Sequence, residues 1–363
     1  MDSINKRNHR NVPPDGGWGY LVAISFTISL IVGILSTDTV GIVFGPYLQQ
    51  IGQEARDVIQ ISSVSHMAML FAGLPLNVLL QKISCRKVAF LGSFIYLLGC
   101  LLTIFSTSTF QMTVTYGVLK GCGIGLVCMS AMAMLKEYFD KRRNFINNCC
   151  HVSASILATT FPTFSANCIR IYGFRGTIII WTGIGMHLIV AAAFLQPVKW
   201  HMEKRLICDD EMIEMYHKEK GVIEANNEIY DDIPHTPSIQ SRFRKLITVV
   251  YNTLDLGLFK VPSYVNIAFG VSLTVASDVL FISLLPWLLN HYHSDNSHRN
   301  LLITIFFTAD LVGKVLLCII SRFVSIRNRY LFLVNTYVVG IFRLVTPFGG
   351  LRVFAQCWDL FVV

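Results

Sequence analysis

Two ionisable side chains stand four residues apart inside an apolar run, Asp310-Leu311-Val312-Gly313-Lys314. On a helix that spacing puts both on one face, where the ammonium can meet the carboxylate. A charge at the middle of a bilayer costs roughly 2.5–3.5 kcal/mol on insertion scales, so it needs a partner or a water-filled cavity. The pair is therefore either a structural ion pair or part of a site, and the spacing leaves both readings open. Asp38, Lys120, Asp278 and Arg343 are further charges within apolar runs. Each could pair internally or snorkel to an interface. His66 and His187 are lone histidines in such runs and read as satisfied by structural hydrogen bonds. His291, His293 and His298 fall in a polar stretch whose spacing does not make a metal site. No nucleophile–base pairing, zinc spacing or phosphate-cradling loop rises above chance, so neither an enzyme nor a bound metal or cofactor is expected.

The elements that must position these groups are membrane helices. Of 363 residues, 53% are hydrophobic and 14% charged, with a mean hydropathy of +0.55. Soluble domains carry about 25% charged residues. The formal charge of +8 fits basic cytoplasmic loops better than a nucleic-acid binder, whose charge would cluster on a polar fold. Apolar segments of spanning length are predicted near 18–43, 60–80, 88–106, 112–135, 146–169, 177–195, 264–289, 300–320 and 330–348. The first is too long, and lacks the small-residue cleavage site, to be a cleaved signal peptide. The ten cysteines are scattered, mostly within these segments, and read as small buried residues.

With the N-terminus cytoplasmic, the inner loops hold Lys6, Arg7 and Arg10, then Lys82, Arg86 and Lys87, then Lys136, Lys141, Arg142 and Arg143, and later Arg322, Arg327 and Arg329. The outer loops hold only Arg56, Arg170, Arg175 and Arg299. This asymmetry follows the positive-inside rule. Residues 196–262, with Asp209-Asp210-Glu211 and Asp231-Asp232, are too polar to cross. The chain thus divides into a cytoplasmic N-terminus (1–17), a six-helix bundle (18–195), a cytoplasmic central loop (196–262) and a second, partial bundle (263–363). The fold class is an all-α membrane protein.

Two motifs stand out. Asp15-Gly16-Gly17-Trp18-Gly19-Tyr20 leads directly into the first apolar segment. Asp15 is placed to answer unpaired N–H groups at a helix start, Trp18 and Tyr20 are interfacial aromatics, and the glycines permit close backbone approach. Glu137-Tyr138-Phe139-Asp140-Lys141-Arg142-Arg143 ends the fourth segment, where cations favour a helix C-terminus and hold a loop to anionic lipid. That segment carries Gly117, Gly121, Gly123 and Gly125, a density that allows tight helix packing in lipid. Together the two blocks resemble the monocarboxylate transporter family of the major facilitator superfamily. Ser84-Cys85-Arg86, where the family reads Gly-Cys-Arg, and Asp255 to Lys260 resemble it too.

The resemblance implies a helix bundle with nine complete transmembrane helices here and part of a tenth. It implies a plasma-membrane carrier of monocarboxylates or related small organic solutes that works by alternating access, with or without proton coupling. Asp310 becomes the proton-handling acid and Lys314, where the family has Arg, the cation for the substrate carboxylate. Asn147 falls where the family places a residue near substrate. At Asp38 proton-coupled lactate carriers have Lys, so this carboxylate is read as a proton carrier, a cation-binding group, or the partner of Lys120 or Lys314. A single-span accessory glycoprotein, the lipid bilayer and no nucleic acid complete the expected partners. The family normally has twelve helices, so a chain ending in its tenth is expected to transport poorly by itself, or to act as a non-transporting relative that binds a full-length carrier. Uptake by vesicles holding only this chain should fall well below that of a twelve-helix homologue; equal uptake contradicts the expectation.

Overall fold

The computed structural model of the chain describes residues 9–12, 14–52, 55–140, 142–206, 261–273, 308, 310–316 and 318–319. The helices are α1 (Gly19–Asp38), α2 (Val40–Gln50), α3 (Ala55–Phe71), α4 (Gly73–Lys82), α5 (Cys85–Ile104), α6 (Thr109–Met112), α7 (Gly121–Tyr138), α8 (Arg143–Ala158), α9 (Phe161–Gly185) and α10 (His187–Phe194). A π-helical stretch, Thr113–Lys120, joins α6 to α7. Two later helical pieces, α11 (262–273) and α12 (310–316), follow. The expected spans at 264–289 and 300–320 are described only in those pieces. That at 330–348, the central loop beyond Leu206, Asp255, Asp278 and Arg343 lie outside the described residues.

Helices meeting end to end make longer rods. Gly19–Gln50, Cys85–Ile104, Thr109–Tyr138 and Arg143–Phe194 are each long and apolar enough to cross a membrane. The last is broken at Gly173, whose φ of 68° turns the chain between two rods. The first runs seven residues beyond its predicted end. Pro46 removes one N–H from the ladder, yet the helix continues because Val43, Phe44 and Leu48 are buried against Ile61, Tyr116 and Ile178. One flank of α5 leaves Leu91, Phe94, Leu98, Leu101 and Phe105 exposed at helical spacing. An apolar stripe of this length belongs in lipid.

Packing centres on α7, held between α3 and α5 and against α1. Its glycines serve two opposite contacts. A Cβ at Gly121 would lie 2.6 Å from Ser65 O, and one at Gly125 2.4 Å from Met69 O, both on α3. A Cβ at Gly123 would lie 2.4 Å from Tyr96 N on α5. Backbones this close gain dispersion and interhelical hydrogen bonds where lipid offers no hydrophobic drive. Such bonds run from Ser25 Oγ to Ala191 O (2.7 Å) and from Ser93 Oγ to Leu188 O (3.2 Å).

The two sequence motifs meet at one end of the bundle. Asp15 donates its N–H to Tyr138 O (3.2 Å), and its Oδ1 accepts the Asp140 N–H (2.8 Å). The carboxylate therefore caps the turn after α7, and α1 starts without a side-chain cap. This corrects the reading that Asp15 serves its own helix: its φ of 46° turns the chain there. Gly17 adopts φ 55°, and Gly19 lets the Phe139 ring come within 2.9 Å of where a Cβ would sit. Trp18 Nε1 donates to Phe194 O (3.0 Å), and its ring stacks on His201 at 5.3 Å. Tyr20 stays exposed and meets Phe139 edge-on at 5.8 Å. Tyr138 Oη donates to Gln196 O (3.0 Å). A two-stranded antiparallel ribbon, β1 (His9–Val12) with β2 (Glu203–Leu206), continues the clasp. The all-helix expectation omitted this ribbon, which lies outside the bundle. Gly19 and Phe194 thus end on the same side, and the intervening rods traverse the bundle an even number of times.

Gly125→Val should lower the melting temperature in detergent more than Gly45→Val, because nothing lies within 4 Å of a Cβ at Gly45. The overpacking cost is about 1–3 kcal/mol; equal melting would contradict the close-approach account. Asp15→Ala should cost about 1–2 kcal/mol, and Asp15→Asn less, since Asn keeps an acceptor and tolerates positive φ. Thermal melting of the three proteins checks this.

Candidate functional site

The pair predicted from spacing forms. On α12 the Lys314 ammonium donates to Asp310 Oδ2 at 2.5 Å, and also to Ser155 Oγ on α8 at 2.8 Å. Ser155 Oγ lies 3.5 Å from Asp310 Oδ2. The serine is 1% exposed, whereas the Lys314 and Asp310 side chains keep 33% and 41% of their surface. The hydroxyl thus reaches the ion pair from a helix about 160 residues earlier in the chain. Lysine presents a point charge with three rotatable donors, so it can hold Asp310, Ser155 and a third acceptor together. A carboxylate ligand is an acceptor of that kind.

Helix α8 presents more than Ser155 to this region. His151 lies one turn earlier, half-buried and edge-on to Phe26 of α1 at 5.8 Å. Asn147, the residue expected near substrate, sits a further turn back and is half-buried. With Ser155 they recur every four residues along one flank of α8. Sequence reading named Asn147 but missed His151 and Ser155. Their four-residue spacing within the fifth predicted span was the available signal.

Lys120 is elsewhere. It is fully buried in the π-helical stretch, its Nζ donating to Ser36 O (2.9 Å) and Ser65 Oγ (3.3 Å) and lying 4.4 Å from the Tyr116 ring centroid. The Tyr116 hydroxyl also donates to Ser36 O. Asp38 ends α1 two residues after Ser36; its side chain lies outside the described set, as does Lys141. His66 Nδ1 bonds Ser62 O at 2.9 Å and His187 Nδ1 bonds Ile184 O at 3.0 Å, which supports structural roles for both. Arg86 stacks over Phe90 at 5.9 Å. Ser84, which stands where the resemblance has Gly, adopts ordinary extended φ/ψ, so no glycine is needed. Arg142 precedes α8 and Arg143 opens it, both exposed. Only Lys136 lies in the last turn of α7. The basic block therefore marks a loop and a helix start, where the dipole opposes the charge and an anionic surface would favour it.

The Major Facilitator Superfamily profile matches residues 21–209, just over half of the chain. Monocarboxylate transporter 2 of Mus musculus is 28% identical over 188 residues, covering 52% of this chain and 39% of that protein. Monocarboxylate transporter 13 of Rattus norvegicus is 29% identical over 192 residues, covering 52% of this chain and 44% of its own length. Monocarboxylate transporter 1 of Bos taurus is 25% identical over 355 residues, 93% of this chain and 68% of that protein. The chain thus spans less than half the length of the first two relatives. With the rods, the lipid-facing stripe and the two motif blocks, these matches establish a multi-pass membrane protein that belongs to the Major Facilitator Superfamily and is similar to monocarboxylate transporters.

Proposed function

We propose that the chain is part of a secondary carrier for monocarboxylates or related small organic anions. It works in the plasma membrane with its N-terminus cytoplasmic. The bundle at 18–195 and the partial bundle at 263–363, joined by the loop at 196–262, rock about a midplane site. The observation that carries this reading is the Lys314 ammonium, bonded to Asp310 on its own helix and to Ser155 on α8. The relatives' names as monocarboxylate transporters support the substrate class.

The chemistry follows from competition for one ammonium. With Asp310 ionised, Lys314 is neutralised within its own helix and holds a substrate carboxylate weakly. A proton on Asp310 cancels that carboxylate, and the cation turns to the incoming anion. Proton and monocarboxylate then enter the site together, and the loaded site is close to neutral. A site carrying less net charge crosses the bilayer midplane at lower cost. Ser155 keeps the ammonium on the α8 side in both states. Asn147 and Asp38 shape selectivity, and the carboxylate at Asp38 favours a substrate other than plain lactate.

Reconstituted vesicles should take up a labelled monocarboxylate at least about tenfold more slowly with Lys314→Ala or Asp310→Asn than with the parent, a loss of about 1.4 kcal/mol or more. Lys314→Arg should keep most of the uptake. Parent-like uptake by Lys314→Ala would overturn the reading. Screening several monocarboxylates at two pH values, with Asp38→Lys alongside, would identify the substrate.

A further inference from the structure

The segment that carries α12 meets α8 at a second place, just beyond the end of α12. Cys149 Sγ on α8 lies 3.5 Å from Cys318 Sγ, and both residues are half-buried. Cys318 follows Lys314 by four residues, one turn along the same flank as the ion pair. The Ser155–Lys314 and Cys149–Cys318 contacts together set the two helices antiparallel. The neighbouring Cys150 is turned away and bonds Ala23 O at 3.5 Å. A disulfide needs about 2.05 Å between sulfurs, so a modest rotation of two side chains closes the gap.

We propose that Cys149 and Cys318 form a redox-closable tether that fixes α8 to the segment carrying Asp310 and Lys314. The oxidant is a small disulfide of the glutathione type. One cysteine thiolate attacks it, forming a mixed disulfide and releasing one thiolate. The second cysteine thiolate attacks the protein sulfur of that bond and releases the other, leaving the Cys149–Cys318 bond. Overall two protein thiols lose two electrons and two protons, and the small disulfide becomes two thiols. The closed loop holds nearly 170 residues, a length at which cross-linking strongly restricts the unfolded chain. The sulfurs lie toward the amino end of α8, so under the proposed orientation the tether sits near the cytoplasmic mouth. On the carrier reading, it holds that mouth shut and stops rocking.

The full chain in detergent is oxidised with diamide, alkylated, digested and mapped by mass spectrometry. A linked peptide joining Cys149 to Cys318 is expected in the parent and in Cys150→Ser, and is absent from Cys149→Ser and Cys318→Ser. Oxidation should raise the parent's melting temperature by roughly 5 °C, reversibly with a thiol reductant, and leave Cys149→Ser unmoved. Failure to link the two after exhaustive oxidation, or linkage without a change in melting, overturns the tether. In vesicles, oxidation should cut parent uptake at least several-fold and leave Cys149→Ser unaffected; undiminished uptake by fully linked protein overturns the arrest. A parent that links and melts as expected yet never transports keeps the tether and removes the carrier reading.

Discussion

A charged side chain inside hydrocarbon must be answered from within the protein, because no solvent is there to do it. Lys120, Asp310 and Lys314 each meet this constraint differently. Lys120 is enclosed by a carbonyl, a hydroxyl and an aromatic face, all within the bundle formed by the first rods. Lys314 is answered partly by its own helix and partly by Ser155 on α8, and its surface is not fully covered. Lys120 is fully covered whereas the Lys314 side chain keeps a third of its surface, and the proposed exchange of partners rests on that difference.

The same constraint acts on the backbone. With no hydrophobic drive between helices in lipid, closeness must come from small residues and from side chains bonding across to carbonyls. The α7 glycines supply the first, and Ser25, Ser93 and Trp18 the second. At the clasp, Asp15 and Gly19 turn two separate sequence motifs into one structural unit. A rigid bundle of this kind suits the proposed rocking, which would place the motion at contacts such as that between α8 and α12.

Much of this was legible in the residues. Long apolar runs named the rods, since a helix must satisfy its backbone internally over about 20 residues. The Asp310–Lys314 pairing followed from helical spacing alone. The missing parts depended on tertiary placement. Asp15 precedes a helix and reads as its cap, but a positive φ sends its carboxylate to the turn after α7. The first span is expected to end near residue 43, but burial of Phe44 and Leu48 carries the helix on past Pro46. Ser155 is not singled out by the sequence, since only the arrival of α12 gives its hydroxyl a role. Cys149 beside Cys150 looked like two inert thiols, and their different directions appear only in three dimensions.

The central claim is that Asp310 and Lys314 act at fixed positions against α8 and do more than neutralise each other. Exchanging them, as Asp310→Lys with Lys314→Asp, tests it most directly. A structural ion pair tolerates the exchange, whereas an anion site does not, because the ammonium leaves Ser155 by a full turn. The account predicts a double variant that melts close to the parent and takes up no labelled monocarboxylate above background. Parent-like melting together with parent-like uptake would contradict it.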